Sequence, residues 1–440
     1  MFGKLLFTKI DNSQLIVFRV LFGILVASES FGAILTGWVR QNLVDPKFTF
    51  NFIGFDWLQP LPGNGMYFYF FAMGVLGVLI AIGYKYRFSV ISFTILWVCV
   101  YLMQKTSYNN HYYLLALVSF LMCFFPANAY LSVDAKQNPT IQDHTMGSHI
   151  KWIVVAQLFI VYTYASLAKL YADWLDFSVL EILMRDKASY PIIGELLQQT
   201  WVHKVIGISG ILFDLLIVPA LLWKPTRKIA FYCSIFFHLF NSVVFQIGIF
   251  PYLALAFNVF FFEPETIRSA FLKKKKPIGP LKIDVPPYKN ILQGCIGIYL
   301  LIQLLLPLRH LLIEDSVLWT EEGHRMSWRM MLRSRSGSIQ FKIVNTNNGN
   351  SQLVKLNDHL TKKQQRKIGA YPDFIWQFAQ MLKKEHAKNG EDIAIYAINS
   401  RVGINGRSYK AFIDPEVDLA NAKWSHFRHN EWILPSDLSK

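Results

Sequence analysis

Across 440 residues, 53% are hydrophobic, 15% aromatic and only 17% charged, so the chain has too little polar surface to cover a water-exposed globule and lipid must cover part of it. The net charge of +15, from 44 basic and 29 acidic side chains, does not signal nucleic acid. Much of the excess lies in short loops beside apolar runs, as orientation in a bilayer demands. The four cysteines, Cys99, Cys123, Cys233 and Cys295, fall in apolar stretches without CxxC spacing. That argues against a disulfide framework and a zinc site and reads them as buried small hydrophobes.

Apolar blocks occupy roughly 14–36, 66–84, 88–104, 112–130, 152–171, 205–223, 229–248, 250–262 and 290–308, of lengths that suit membrane helices. They predict an all-α polytopic membrane helix bundle of about eight or nine spans. The stretch 229–262 is broken at Phe250-Pro251-Tyr252 and reads as two crossings or as a span plus a re-entrant piece. The first apolar run lacks a small-residue cleavage pattern and reads as a span rather than a signal peptide. Lys4 and Lys9, Lys85 and Arg87, Lys224, Arg227 and Lys228, and the run Lys273–Lys276 all fall on one side if spans alternate. Positive charge marks that side, and with it the N-terminus, as cytoplasmic, and puts the C-terminus outside. The brevity and simple topology favour a bacterial inner membrane.

The last 130 residues change character. Ser338–Thr346 and Gln352–Leu356 flank an Asn-Asn-Gly hairpin signal. A polar helix around 361–388 follows, then strands near Asp392–Ile398 and Ser408–Ile413. The division is a transmembrane domain over 1–310 and an extracytoplasmic α+β domain over 311–440.

Polar groups inside spans cost up to about 3 kcal/mol near the bilayer centre, so each needs a reason. Arg19 and Glu29 lie in the first span, ten residues apart and too far for an intrahelical pair; they read as partners of other helices, and Asp214 likewise reads as structural. Asn109, Asn110 and His111 stand at the mouth of the fourth span, and His238 and Asn241 in the seventh. Tyr162, Ser166 and Lys169, at i, i+4 and i+7, share one helix face. The alternating topology brings His111 and Lys169 to outer ends, beneath the outer domain. A terminal lysine beside Trp174 also suits plain snorkelling to the interface, and His111 suits an interfacial cap. No HExxH, GxSxG, P-loop or dinucleotide fingerprint stands in a convincing context, and no metal is expected.

Three membrane stretches, KTSYNNHYYLL (Lys105–Leu115), IVYTYASLAKLYADW (Ile160–Trp174) and FHLFNSVVFQIGIFPY (Phe237–Tyr252), resemble vitamin K-dependent γ-glutamyl carboxylases and their bacterial HTTM-domain relatives. The likeness continues through LPLRH (Leu306–His310), WTEEGHRMSWRMMLRSRS (Trp319–Ser336) and FIDPEVDLANAKWSHF (Phe412–Phe427), in order along most of the chain. The resemblance implies a carboxylase (a carbon–carbon lyase) that uses reduced vitamin K, O2 and CO2. It couples formation of the vitamin K epoxide to γ-carboxylation of a glutamate in a peptide or protein. It maps the catalytic lysine onto Lys169, with Ala168 where the family has a second lysine, and a histidine with its asparagine onto His111 and Asn110. It maps the cofactor pocket onto Tyr162 and His238. Trp328, Arg333 and Arg335 are expected to line the glutamate site. Three departures, Arg333 where animal carboxylases carry a histidine, Glu321-Glu322-Gly323-His324-Arg325 in place of the glycine-tyrosine stretch before it, and the short stretch after Trp432, argue against a propeptide-bearing clotting-type substrate. On the residues alone, a quinone or lipid oxidoreductase without a CO2 step, and a non-enzymatic receptor or assembly factor, stay open.

Overall fold

A computed structural model describes residues 6–279 and 283–438; Lys4 lies outside them. Seven of the described helices are long and apolar enough to cross a membrane. In chain order with two shorter apolar helices they are α1 Ser13–Leu35, α2 Gly65–Ile82, α3 Tyr86–Met103, α4 Asn110–Met122, α5 Ser148–Leu167, α6 Thr200–Leu222, α7 Arg227–Phe245, α8 Phe250–Phe257 and α9 Lys289–Leu305. The chain is thus a helical membrane bundle carrying a C-terminal α+β region. The break falls just before Phe250-Pro251-Tyr252: α7 ends at Phe245, with Gln246 left-handed, and α8 opens on the triplet, whose proline fits the first turn, where its missing N–H is not needed. At about 1.5 Å per residue, the 13-residue α4 is only about 20 Å long. It starts beneath the outer region, where Asn109 Oδ1 caps it by accepting the Tyr112 N–H at 2.7 Å.

Large apolar side chains such as Phe68, Phe88, Ile95, Leu216, Phe236 and Ile298 cover the outside of the bundle, as contact with lipid requires. Cys233 and Cys295 share that exterior and Cys99 and Cys123 are half-buried. The expectation of buried cysteines therefore fails, because a span's apolar residues divide between core and lipid. Helices α1 and α2 pack closest. A Cβ on Gly23 would lie 2.3 Å from the Ala81 nitrogen, and one on Gly77 2.6 Å from that of Ala27. Two small-xxx-small pairs thus bring the backbones together, the usual device where no hydrophobic drive acts between helices in lipid.

One end of the bundle gathers β1 (Lys9–Asp11) paired antiparallel with β2 (Thr145–Gly147). The left-handed Gly83 that closes α2 and the buried Lys275, bound to Asp11 and Ser13, lie there too. Arg19 reaches this end, where it donates to Ala127 O at 2.9 Å and Leu131 O at 2.6 Å. Basic residues 85, 87, 224, 227, 228 and 273–276 therefore share one end, as the charge argument expects. At the opposite end, β3 (Arg335–Asn345), β4 (Ser351–Leu353), β5 (Ile393–Ile404) and β6 (Lys410–Ala411) form an antiparallel sheet in the order β4-β3-β5-β6. Helix α10 (Pro372–Lys388) covers it through Phe374, Phe378 and Leu382. The polar helix expected over 361–388 is two, Lys362–Ile368 and α10, separated at Gly369, where the backbone runs against Gly337 of β3. Phe50, from the loop after α1, enters this core, stacking on Phe374 at 4.7 Å. The Lys105 ammonium meets Asp373 at 2.5 Å.

Candidate active site

Helix α5 ends at Leu167, and Lys169 follows in the turn that leads to Trp174. Instead of snorkelling, Lys169 turns inward and is only 7% exposed. Its Nζ donates to Asp214 Oδ2 of α6 at 2.5 Å and to Ala165 O at 3.0 Å, with the Trp174 ring centroid 5.5 Å away. The other two residues of the α5 stripe face the same way. Ser166 Oγ donates to Ile211 O at 3.0 Å, and the Tyr162 hydroxyl lies 3.0 Å from His238 Nε2 of α7. The other ring nitrogen of His238 is buried with no partner among the described residues.

His111, at the start of α4, stacks on Phe250 of α8 with centroids 4.0 Å apart and planes at 20°. Phe250 in turn meets His238 edge-on at 5.8 Å. Lys169, Asp214, Tyr162, His238 and His111 all line one apolar cavity of about 450 Å³. Its outer wall includes Phe236, 74% exposed, and Val205 and Leu196, so it opens sideways through the apolar belt. A polar floor under an apolar mouth, with an unpartnered nitrogen on His238, fits a lipid-borne molecule with a hydroxylated head.

A second cavity, of about 650 Å³, lies between the end of α1, the start of α4 and the C-terminal α+β region. Lys105, Arg325, Arg329, Arg333 and Lys367 make it basic, with Glu29 and Glu321 on its wall. His111, Ile247, Met330 and Met331 line both cavities and form the partition. The segment that supplies Met330 and Met331 is strained. Glu321, Met326, Trp328 and Met331 all have positive φ, between 53° and 60°. Each such residue costs about 1–3 kcal/mol, and such residues cluster at functional sites. Asn110 holds this segment. Its Nδ2 donates to Arg329 O at 3.1 Å, and its Oδ1 accepts from the Tyr108 hydroxyl at 2.8 Å. That hydroxyl accepts the Met326 N–H at 2.6 Å.

Of the residues expected to line the glutamate site, only Arg333 reaches a cavity wall. Trp328 is buried and stacked on Tyr113 at 4.9 Å. Arg335, at the start of β3, donates to Leu318 O at 2.7 Å and Ala370 O at 2.5 Å. Alternation of side chains along a strand turns it into the outer domain. Burial, with Arg333 nearby, lowers the Arg329 guanidinium to about 10, and its Nε has no partner among the described residues. Arg325 and Lys105 share Asp373, whose carboxyl they hold below the usual range against its burial. Arg329 lines the basic cavity without such a carboxylate. Sequence reasoning missed it, although it is four residues from Arg333. Asp214 was read as structural, and its place against Lys169 carried no local signal.

The family model of the HTTM domain matches residues 7–265, and that of the vitamin K-dependent gamma-carboxylase lumenal domain matches residues 288–439. No solved structure matches the chain. With both parts matched in order, covering the bundle and the outer region alike, the chain belongs to the vitamin K-dependent gamma-carboxylase family.

Proposed function

We propose that the chain is a membrane carboxylase that couples oxidation of reduced vitamin K to its epoxide with γ-carboxylation of protein glutamate, using O2 and CO2. The observation that carries the reading is the pair of cavities meeting at His111, one apolar and lipid-facing with Lys169 and Tyr162 in its wall, the other basic. The hydroquinone supplies, with O2, the oxidative drive that generates a base strong enough for a γ-proton. Lys169 Nζ takes up a proton from a hydroxyl in the apolar cavity, which an amine does only when neutral. The His111 ring offers a nitrogen for hydrogen bonding to developing oxyanion charge. Tyr162 and His238 orient the head group through their mutual hydrogen bond. In the basic cavity Arg329 and Lys367 draw a glutamate carboxylate toward the partition. Asn110 acts through Arg329 and Tyr108, holding the wall rather than touching substrate. The reading sets the chain in a bacterial inner membrane with the N-terminus cytoplasmic, the peptide arriving from outside and the quinol from the bilayer.

The test is wild type and Lys169→Ala in lipid nanodiscs with reduced vitamin K, a glutamyl peptide and labelled CO2. Wild type is expected to form epoxide and fix label, and Lys169→Ala to do neither while remaining folded. Epoxidation by Lys169→Ala overturns the lysine's role. Epoxide without fixed label reduces the protein to a quinol oxidoreductase, and no turnover by wild type removes the enzymatic reading.

A further inference from the structure

Resting on the reading of Lys169 as a base, we propose that Asp214 is its positioning residue and takes up the amine's resting proton, so that Lys169 meets a phenolic hydroxyl as a free base. Lys169, in the turn after α5, and Asp214, within α6, meet at 2.5 Å on the wall of the apolar cavity. Among the described residues neither makes a second ion pair. A lysine that holds its proton is no base, and an ion pair withdrawn from water loses much of its advantage over the neutral pair. The contact gives the proton a direct path. An Nζ–H bond breaks and an O–H bond forms on Oδ2. Rotation about Cε–Nζ then turns the lone pair to the cavity, where an N–H bond forms as the hydroxyl's O–H bond breaks. The total charge of the site is unchanged throughout, which matters in a medium that stabilises charge poorly.

A purely structural role explains the pair less well. Helix α6 is already fastened to α5 and its turn by Ser166 Oγ to Ile211 O at 3.0 Å and Trp174 Nε1 to Gly207 O at 3.2 Å. Neither bond buries a charge, whereas a buried ion pair is frequently no better than apolar side chains of similar size. The other titratable groups on the cavity are Tyr162 of α5, His238 of α7 and His111 of α4. Tyr162 and His238 are bonded to each other rather than to Lys169.

The test is the initial rate of epoxide formation from reduced vitamin K between pH 6 and 8.5, in nanodiscs, for wild type, Lys169→Ala, Asp214→Asn and Asp214→Glu. Wild type is expected to be nearly level with pH. Asp214→Asn, whose amide takes no proton, is expected to be slower by about ten-fold or more below neutrality and to rise with pH. Asp214→Glu should restore the level profile. An Asp214→Asn protein with the wild-type rate and profile overturns the proposal while leaving Lys169 as base. An active Lys169→Ala or an inactive wild type overturns the base reading, and the proposal with it. Should Asp214→Asn not fold, the wild-type protein labelled with carbon-13 aspartate decides the matter. A protonated carboxyl stretch in its infrared spectrum at neutral pH supports the proposal, and its absence overturns it.

Discussion

Arg333 is gripped at two points by Glu321, with Nε donating to Oε1 at 2.6 Å and a terminal nitrogen to the other oxygen, while its remaining arm meets His324 Nε2 at 2.9 Å. Both charges are withdrawn from solvent. A bidentate pair of this kind leaves the guanidinium little capacity for an incoming carboxylate. The arginine whose sequence position suggests substrate contact is therefore part of the cavity's frame, whereas Arg329 lines the cavity with no ion pair among the described residues.

The two arginines should accordingly fail in different ways. Arg329→Gln should raise the KM for a glutamyl peptide about 10- to 100-fold, the worth of one charge-assisted hydrogen bond, with little change in stability. Arg333→Gln leaves Glu321 buried with only Arg335, 4.0 Å away, and should lower stability by about 3 kcal/mol. Peptide kinetics and denaturant unfolding of each variant check both halves. Equal effects on KM would contradict the division of roles.

Peptide binding should weaken with rising pH. Burial, with Lys363, Arg325 and Arg333 nearby, lowers Lys367 to about 8. Burial brings Lys105 to about the same value, although Asp373 opposes the shift. A bound carboxylate favours the ammonium form, so affinity is full below pH 8 and is lost as pH rises through it. The KM for peptide should climb between pH 7 and 9, and Lys367→Met should flatten that climb.

Tyr162→Phe removes the partner of His238 Nε2 when the ring's other nitrogen already lacks one among the described residues. A buried ring left unsatisfied costs about 1–3 kcal/mol. The variant should unfold earlier and bind the quinol more weakly. Tyr162→Phe/His238→Phe should lose less stability than the single changes added together, as a double-mutant cycle measures.

In the bundle, Gly77→Ala puts a methyl group where the Ala27 backbone already stands. Helices α1 and α2 must separate, at about 1–3 kcal/mol. Gly297→Ala, on the exterior of α9 where a new Cβ meets nothing beyond its own helix, should instead raise stability slightly, by up to about 1 kcal/mol. Thermal unfolding in detergent distinguishes the two.

The bundle was legible in the sequence because span length and loop charge are physical requirements of a bilayer, repeated at every crossing. Lys169, Tyr162 and His238 were legible for a related reason, since polar groups are expensive in spans and stand out against leucine and phenylalanine. Asp214 stood out equally. Its partner, however, lies 45 residues away in the turn after another helix, and no local spacing announces such a pair. The segment 321–333 was the least legible. Helix and strand periodicities tell which residues share a face, but a run that repeatedly enters the left-handed region follows neither. Within it Arg333, read as lining the glutamate site, belongs to the cavity's frame, and Arg329, which that reading left out, lines the cavity without an ion pair among the described residues.

The Asn110 and Tyr108 bonds to Arg329 O and the Met326 N–H have a mechanical meaning. The turn that aims His111 into the lipid-facing cavity is the same one that clamps the methionine partition of the other cavity. The Asn110 amide is thus one direct tie between the two walls, beside those that Tyr171 makes to Leu332 O and Trp328 to Tyr113. Loosening Asn110 would therefore uncouple the histidine turn from the methionine wall while leaving every other lining side chain of both cavities in place.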